Sequence, residues 1–127
     1  MKQDTIAAIA TGMTNSGIGI VRISGEEAFS IIDKIYKSKG NKILSKEKSH
    51  TIHYGHIYDG DEMVDEVMVS VMKEPRTYTG EDTVEFHCHG SPAVLTAGLE
   101  SLYLAGAAPA KRGEFTKRAF LNGKLDL

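Results

Sequence analysis

The chain has 127 residues, of which 15 are Lys or Arg and 17 are Asp or Glu, so its formal net charge is −2. This length suits one domain with a single hydrophobic core. One cysteine cannot form an internal disulfide, which excludes a disulfide scaffold and a Cys-rich zinc module and favours a reducing, cytosolic setting. The near-neutral charge argues against a stand-alone nucleic-acid-binding protein, and no apolar run reaches the ~20 residues of a membrane span.

The first 36 residues predict two strands and a helix. Residues 5–11 are apolar on both alternating faces, which is typical of a central strand. A cluster of turn-forming residues over 13–19 leads into a second strand, 18–24. A helix is expected to begin near Ser24 or Gly25 and to run to about Tyr36, with Phe29 and Ile32 on its buried side.

Arg22 is unusual in the second strand. Alternation places it on one face with Ile18 and Ile20, while Val21 and Ile23 occupy the other face. A buried, unpaired charge costs several kcal/mol, so Arg22 needs a partner. An ion pair with an acidic side chain and an anionic or planar ligand are both compatible with the pattern.

The middle of the chain predicts a polar loop and a β-hairpin. Residues 37–49 contain five lysines and no arginine or aromatic residue, which favours a solvated loop over a phosphate-binding patch. Two apolar runs, 50–58 and 63–72, flank an Asp-Gly turn and are expected to pair antiparallel. The histidines at 50, 53 and 56 are interpreted as surface or satisfied polar residues.

Residues 83–89 form the most informative predicted strand. Because side chains alternate along a strand, one face carries Val84, Phe86 and Cys88, and the other carries Glu85, His87 and His89, which we call the polar row. The polar row is interpreted as a binding face, with a His87/His89 metal site as the less favoured alternative. Cys88 points toward the core, which favours a buried, inert thiol over a nucleophile.

Two helices complete the predicted elements. The first has Ser91 as its N-cap and Pro92 at its first position, and it ends before Gly106; its N-terminus follows the polar row and would favour anions. The second is a short helix over 113–121, with a Glu114/Arg118 pair. Residues 73–82, which precede the strand at 83–89, are expected to form a loop. The predicted class is α+β, a mixed sheet with packed helices. The chain contains neither a dinucleotide fingerprint nor a phosphate-binding loop.

Three groups of motifs carry a resemblance over almost the whole chain. They are DTI (4–6) with GIVRISG (19–25), YTGED (78–82) with Glu85 and the His89-Gly90 pair, and GEFT (113–116) with RAFLNGKLDL (118–127). Together they resemble the N-terminal, tetrahydrofolate-binding domain of the MnmE (TrmE) family of tRNA modification GTPases. The resemblance implies a fold of the glycine-cleavage T-protein type, with residues 1–127 forming one folate-binding and dimerisation domain of a longer protein.

The resemblance also implies what the longer protein does. Such proteins continue into a helical domain and a GTPase domain that uses GTP, Mg²⁺ and K⁺, and they work in the cytoplasm with the flavoprotein MnmG on C5 of the wobble uridine (U34) of tRNA. The N-terminal domain forms a homodimer and binds 5-formyltetrahydrofolate or 5,10-methylenetetrahydrofolate as the one-carbon source. This chain alone is expected to bind folate, to bind tRNA weakly and not to hydrolyse GTP.

Carried over by motif, the folate contacts are Arg22, Glu85 and Lys124, and we predict neither a catalytic residue nor a metal ligand. A carboxylate at 85 matches the adjacent N3–H and 2-amino donors of a pterin. The sequence departs from the family's pattern in the 13–17 loop, at Ser91 and at Arg112, where a proline is usual. Two alternatives remain open: an aminomethyl- or formyl-transfer domain of T-protein type, and a protein-interaction domain without folate.

Overall fold

The computed structural model describes residues 3–11 and 16–124. The described strands and helices are β1 (Ile6–Ile9), β2 (Ser16–Ser24), α1 (Ala28–Ile35), β3 (Tyr36–Lys37), β4 (Thr51–Asp59), β5 (Glu62–Met72), β6 (Thr83–Gly90), α2 (Pro92–Leu104), β7 (Ala108–Pro109) and α3 (Glu114–Leu121). A short 3-10 turn, Leu44–Lys46, lies in the lysine-rich loop. The strands form one sheet in the order β3-β4-β5-β6-β2-β1-β7, in which β1 and β7 are parallel and the other pairs antiparallel. The mixed α+β class is therefore confirmed.

Helices α1 and α2 cover one face of this sheet. The core that they enclose includes Val21 and Ile23 of β2 and Val84 and Phe86 of β6, all at most 1% exposed. The opposite face of the strands carries exposed apolar side chains, among them Ile52, Tyr54 and Met68. We call it the open face. Among the described residues, no helix is long and apolar enough to cross a membrane.

Several local predictions are confirmed. The hairpin of β4 and β5 turns at Gly60 and Asp61, and Gly60 has a φ of 60°. Ser91 caps α2 by accepting a hydrogen bond from the Val94 N–H, with Pro92 at the first position. The capping residue and the proline satisfy or remove amides that would otherwise lack partners, so the start of this helix is legible in the sequence.

The start of α1 is wrong in the prediction. Ser24 lies in β2 and its hydroxyl contacts Thr79 and Glu81, so it does not cap the helix. The N-cap position falls to Glu27, which makes no side-chain cap. The predicted end is confirmed, because α1 ends at Ile35 with Tyr36 as its C-cap, and Tyr36 then pairs with Ile57 in an added edge strand.

Strand β1 is shorter than predicted and lies beside the two-residue edge strand β7 rather than at the centre of the sheet. Ile6 and Ala7 are buried, but Ala8 and Ile9 are only half-buried. Strand β2 begins at Ser16, two residues earlier than predicted. The divergent loop predicted over 13–17 lies mostly outside the described residues.

Candidate functional site

Arg22 and Glu85 form a cross-strand ion pair on the open face. They are directly opposite each other in the β2/β6 register, and Arg22 Nε donates to Glu85 Oε2 at 2.6 Å. Their side chains are 27% and 19% exposed, respectively. The face that carries Arg22 is thus the uncovered one, and of the two partners compatible with the pattern the structure shows an ion pair with an acidic side chain. That acid is the one that the resemblance assigns to folate.

Two aromatic rings flank the Arg22 guanidinium. Its Cζ lies 6.0 Å from the ring centroid of Tyr78 and 5.4 Å from that of Phe115, within the range of cation–π attraction. Arg22 also lines a cavity of about 440 Å³. The other walls come from the end of β1 and the residue after it (8–10), from Tyr78, from the segment before α3 (110–113), and from Phe115 and Thr116 in α3. The site therefore combines a cation, two aromatic rings and a concave surface.

A hydrogen-bonded network holds α3 against the loop over 73–82. Arg118 is 3% exposed; it donates to both carboxylate oxygens of Glu81 and, at 3.0 Å, to Glu114. Glu81 also accepts from Ser24, and the Asn122 side chain donates to the Thr79 carbonyl at 2.8 Å. The predicted Glu114/Arg118 pair is confirmed, and the network as a whole positions both aromatic rings beside Arg22.

Lys124 is not brought into contact with this pair. It follows α3, where Gly123 has a φ of 74° and the Lys124 N–H donates to the Ala119 carbonyl at 2.8 Å. Its side chain is exposed, and within the described residues the cavity lining includes neither Lys124 nor Glu85. The folate contacts of all three residues stay predictions.

The polar row of β6 is present as predicted, with Glu85 and His87 half-buried and His89 exposed. The Nδ1 of His89 lies 2.9 Å from both carboxylate oxygens of Asp65, and the His89 main-chain N–H donates to the same carboxylate. The side-chain hydrogen bond between His89 and Asp65, together with the negative charge of Asp65, raises the pKa of His89 above its ordinary value. The described residues contain no group of three or more His, Cys, Asp or Glu that could hold a metal ion.

Cys88 lies in the core, as predicted, and is 5% exposed. Burial, followed by the charge of Asp65, raises the pKa of its thiol to about 11. A thiol with this pKa stays protonated near neutral pH, and the thiolate is the reactive form. Cys88 is therefore a packing residue.

The remaining histidines and the lysine-rich loop behave as interpreted. His53 is 7% exposed, and its ring nitrogens contact Lys42 and Thr51. The five lysines of residues 37–48 are all exposed, which agrees with a solvated loop.

Four site residues received no role from the sequence pattern. Tyr78 and Phe115 lie inside the resemblance motifs, but alternation and helical periodicity do not show that a loop and a distant helix meet at Arg22. Lys111 and Arg112 line the same cavity from the segment before α3. Their concentration of positive charge was a usable signal, because residues 111–118 hold four cations and one acid.

The fold and site define a single α+β domain with a cation-bearing cavity on its sheet. Comparison with protein families then identifies the family of this domain. The family model described as the N-terminus of the GTP-binding protein TrmE matches residues 5–124. The chain belongs to this family.

Its relatives are named as tRNA modification GTPase MnmE. The protein of Lachnoclostridium phytofermentans is 59% identical over 100% of this chain and 28% of its own length. That of Alkaliphilus oremlandii is 59% identical over 98% of the chain and 27% of its own length, and that of Bacillus subtilis is 56% identical over 98% and 28%. The chain thus spans 27–28% of the length of these curated relatives.

Proposed function

We propose that this chain is the folate-binding, dimerising N-terminal domain of a cytoplasmic tRNA modification GTPase. Family membership and the names of the relatives support this assignment. The whole protein would bind GTP with Mg²⁺ and K⁺ in a separate domain and act with the flavoprotein MnmG on C5 of U34 in tRNA. The folate, 5-formyl- or 5,10-methylenetetrahydrofolate, supplies the one-carbon unit when bound.

The observation that carries the folate proposal is the Arg22–Glu85 pair beside the aromatic-flanked cavity. Within the described residues, the Glu85 carboxylate accepts one hydrogen bond, on Oε2, and the Arg22 guanidinium donates one, from Nε. Oε1, the second acceptor position of Oε2 and two guanidinium nitrogens are therefore available. A carboxylate can accept the N3–H and 2-amino donors of a pterin, and a guanidinium can donate to a carbonyl or carboxylate oxygen. Tyr78 and Phe115 offer faces to a planar ring. A fold of T-protein type is consistent with this arrangement.

The homodimer is supported by the open face. Ile52, Tyr54 and Met68 are 62%, 55% and 43% exposed there, and contiguous exposed apolar patches mark interaction surfaces. Ile52, Ser70, Glu85 and Arg22 occupy facing positions in successive strands. A second copy on this face would therefore approach the ion pair and could complete each folate pocket.

The test is calorimetric titration of the 127-residue chain with 5-formyltetrahydrofolate. We expect Arg22→Ala and Glu85→Gln each to weaken binding by at least about tenfold, because each removes a charge-assisted hydrogen bond of roughly 1.5–3 kcal/mol. Arg76→Ala and Glu62→Gln are matched controls at exposed positions outside the cavity, and both should bind like the wild type.

Absence of binding by the folded wild type would refute the folate proposal and favour an interaction domain without folate. Lys124→Ala in the same titration decides whether that residue contributes. Transfer of the one-carbon unit to an amine by the chain would favour a T-protein-type transferase. The chain has no phosphate-binding loop, so we expect no GTP hydrolysis by it.

A further inference from the structure

The segment before α3 places two cations, Lys111 and Arg112, in the lining of the cavity that Arg22 also lines. Lys111 and Arg112 are exposed, line this cavity, and make no side-chain ion pair or hydrogen bond within the described residues. The nearest acid in sequence, Glu114, is already occupied, because it accepts from the Lys111 main-chain N–H and from Arg118. Within the part of the chain that the structure describes, no acidic side chain therefore neutralises the positive charge of Lys111 and Arg112.

The same two residues also line a second, smaller cavity of about 210 Å³. Lys117, the ion-paired Arg118 and its partner Glu114 contribute to that second lining, and Lys117 is exposed. Because Lys111 and Arg112 belong to both linings, the two cavities adjoin. A cationic track thus runs from the Arg22 cavity along α3, in a molecule whose net charge is −2.

This geometry suits an elongated ligand with a planar head and an anionic tail. The head would occupy the larger cavity beside Arg22, Tyr78 and Phe115, and the tail would cross the mouth toward Lys117. Folates carry such a tail, because each added γ-linked glutamate adds one carboxylate. The track is short and opens from a cavity, and the overall negative charge disfavours the phosphates of an RNA duplex as its ligand.

We propose that Lys111, Arg112 and Lys117 bind the carboxylates of an oligo-γ-glutamate tail, so that this domain prefers polyglutamyl over monoglutamyl folate. This inference rests on the proposed folate-binding function. Exposed ion pairs contribute modestly one at a time, so three together predict a preference on the order of tenfold. The preference should fall as salt is raised, because the charges are exposed to solvent.

The experiment compares the mono- and triglutamyl forms of 5-formyltetrahydrofolate by calorimetry, at about 0.05 M and about 0.3 M salt. The wild type should bind the triglutamyl form about tenfold more tightly at low salt. The double variant Lys111→Gln/Arg112→Gln and the single variant Lys117→Gln should both reduce that preference. Lys117 lines only the smaller cavity, so Lys117→Gln should bind the monoglutamyl form nearly as well as the wild type does. Lys39→Gln/Lys46→Gln removes two exposed lysines elsewhere and should keep the full preference.

The possible outcomes distinguish tail recognition from the folate-binding function on which it rests. Equal affinity of the wild type for both forms refutes tail recognition but leaves the folate function intact. Absence of binding to either form refutes both. If the double variant keeps the triglutamyl preference and instead loses affinity for tRNA, the cations belong to a nucleic-acid surface and the tail inference is wrong.

Discussion

Arg22 obtains its partner from the adjacent strand, at the position directly opposite in the register, where cross-strand pairs interact most closely. Because the pair is partly exposed, solvent moderates the cost of removing the two charges from water. Because both side chains are partly exposed, the guanidinium and carboxylate atoms outside the ion pair can be reached by a ligand. A fully buried pair would stabilise the sheet no better and would be unable to bind.

His89 provides a residue-scale test through its contact with Asp65. Its folded-state pKa is raised above 6.5 by Asp65, so the pair contributes stability that is fully present below pH 6.5 and is lost as the pH rises through the raised pKa. We expect Asp65→Asn to lower the pKa of His89, as measured by NMR titration of the imidazole ring. Asp61→Asn, at an exposed position in the hairpin turn, is the matched control. An unchanged His89 titration in Asp65→Asn would contradict the assignment.

At the scale of elements, the site depends on how α3 meets the loop over 73–82. Helix α3 has only eight residues, too few to be stable by itself in water. Its position is instead secured by buried Arg118, which connects it to Glu81 of the loop and, through Glu81, to Ser24 at the end of β2. The rings of Tyr78 and Phe115 therefore depend on contacts between three separate parts of the chain.

The junction between β2 and α1 gives a prediction for a single glycine. Gly25 has a φ of 143°, and a Cβ built there would lie 2.7 Å from the Thr5 Cα, a main-chain atom that cannot move independently. We expect Gly25→Ala to lower the free energy of unfolding by roughly 1–3 kcal/mol or more, as measured by denaturant titration. Gly40→Ala, where a Cβ would meet nothing within 4 Å, should leave the stability nearly unchanged. Equal stabilities for the two variants would show that the close approach at Gly25 relaxes at little cost.

At the scale of the whole molecule, the sheet has helices on one face and exposed apolar residues on the other. We expect the chain to be dimeric by light scattering and Met68→Lys to shift it toward the monomer, because a charge at the centre of an apolar interface must be desolvated. Leu104→Lys is a suitable control, since Leu104 is 76% exposed but lies at the end of α2. A monomeric wild type, or equal effects of the two lysines, would argue against the open face as the interface.

The overall charge of −2 leads to a second prediction at this scale. Nucleic-acid affinity arises largely from neutralising phosphates, and a chain with a net negative charge supplies little net neutralisation. We expect weak binding of tRNA with a shallow salt dependence, as measured by fluorescence anisotropy. Tight binding that weakens steeply with salt would contradict this expectation.

Local patterns in the sequence were sufficient for most elements. The Asp-Gly turn specified the hairpin, Ser91-Pro92 specified the start of α2, and alternation in β6 separated buried Cys88 from Glu85. These signals are legible because each depends on near neighbours in the chain. The start of α1 was misplaced because Ser24 stays in β2, where its hydroxyl contacts Thr79, a partner that is distant in sequence.

By itself, the sequence determined the α+β class, the burial of the single thiol, the family and the identity of the candidate folate residues. Only the tertiary structure decided which face of β2 is open, that Arg22 pairs with Glu85, and that Tyr78 and Phe115 flank Arg22. It also left Lys124 out of the cavity lining that the described residues form. The physical reason is that periodicity assigns a side chain to one side of an element, whereas strand order and helix docking decide which side is covered and which residues meet there.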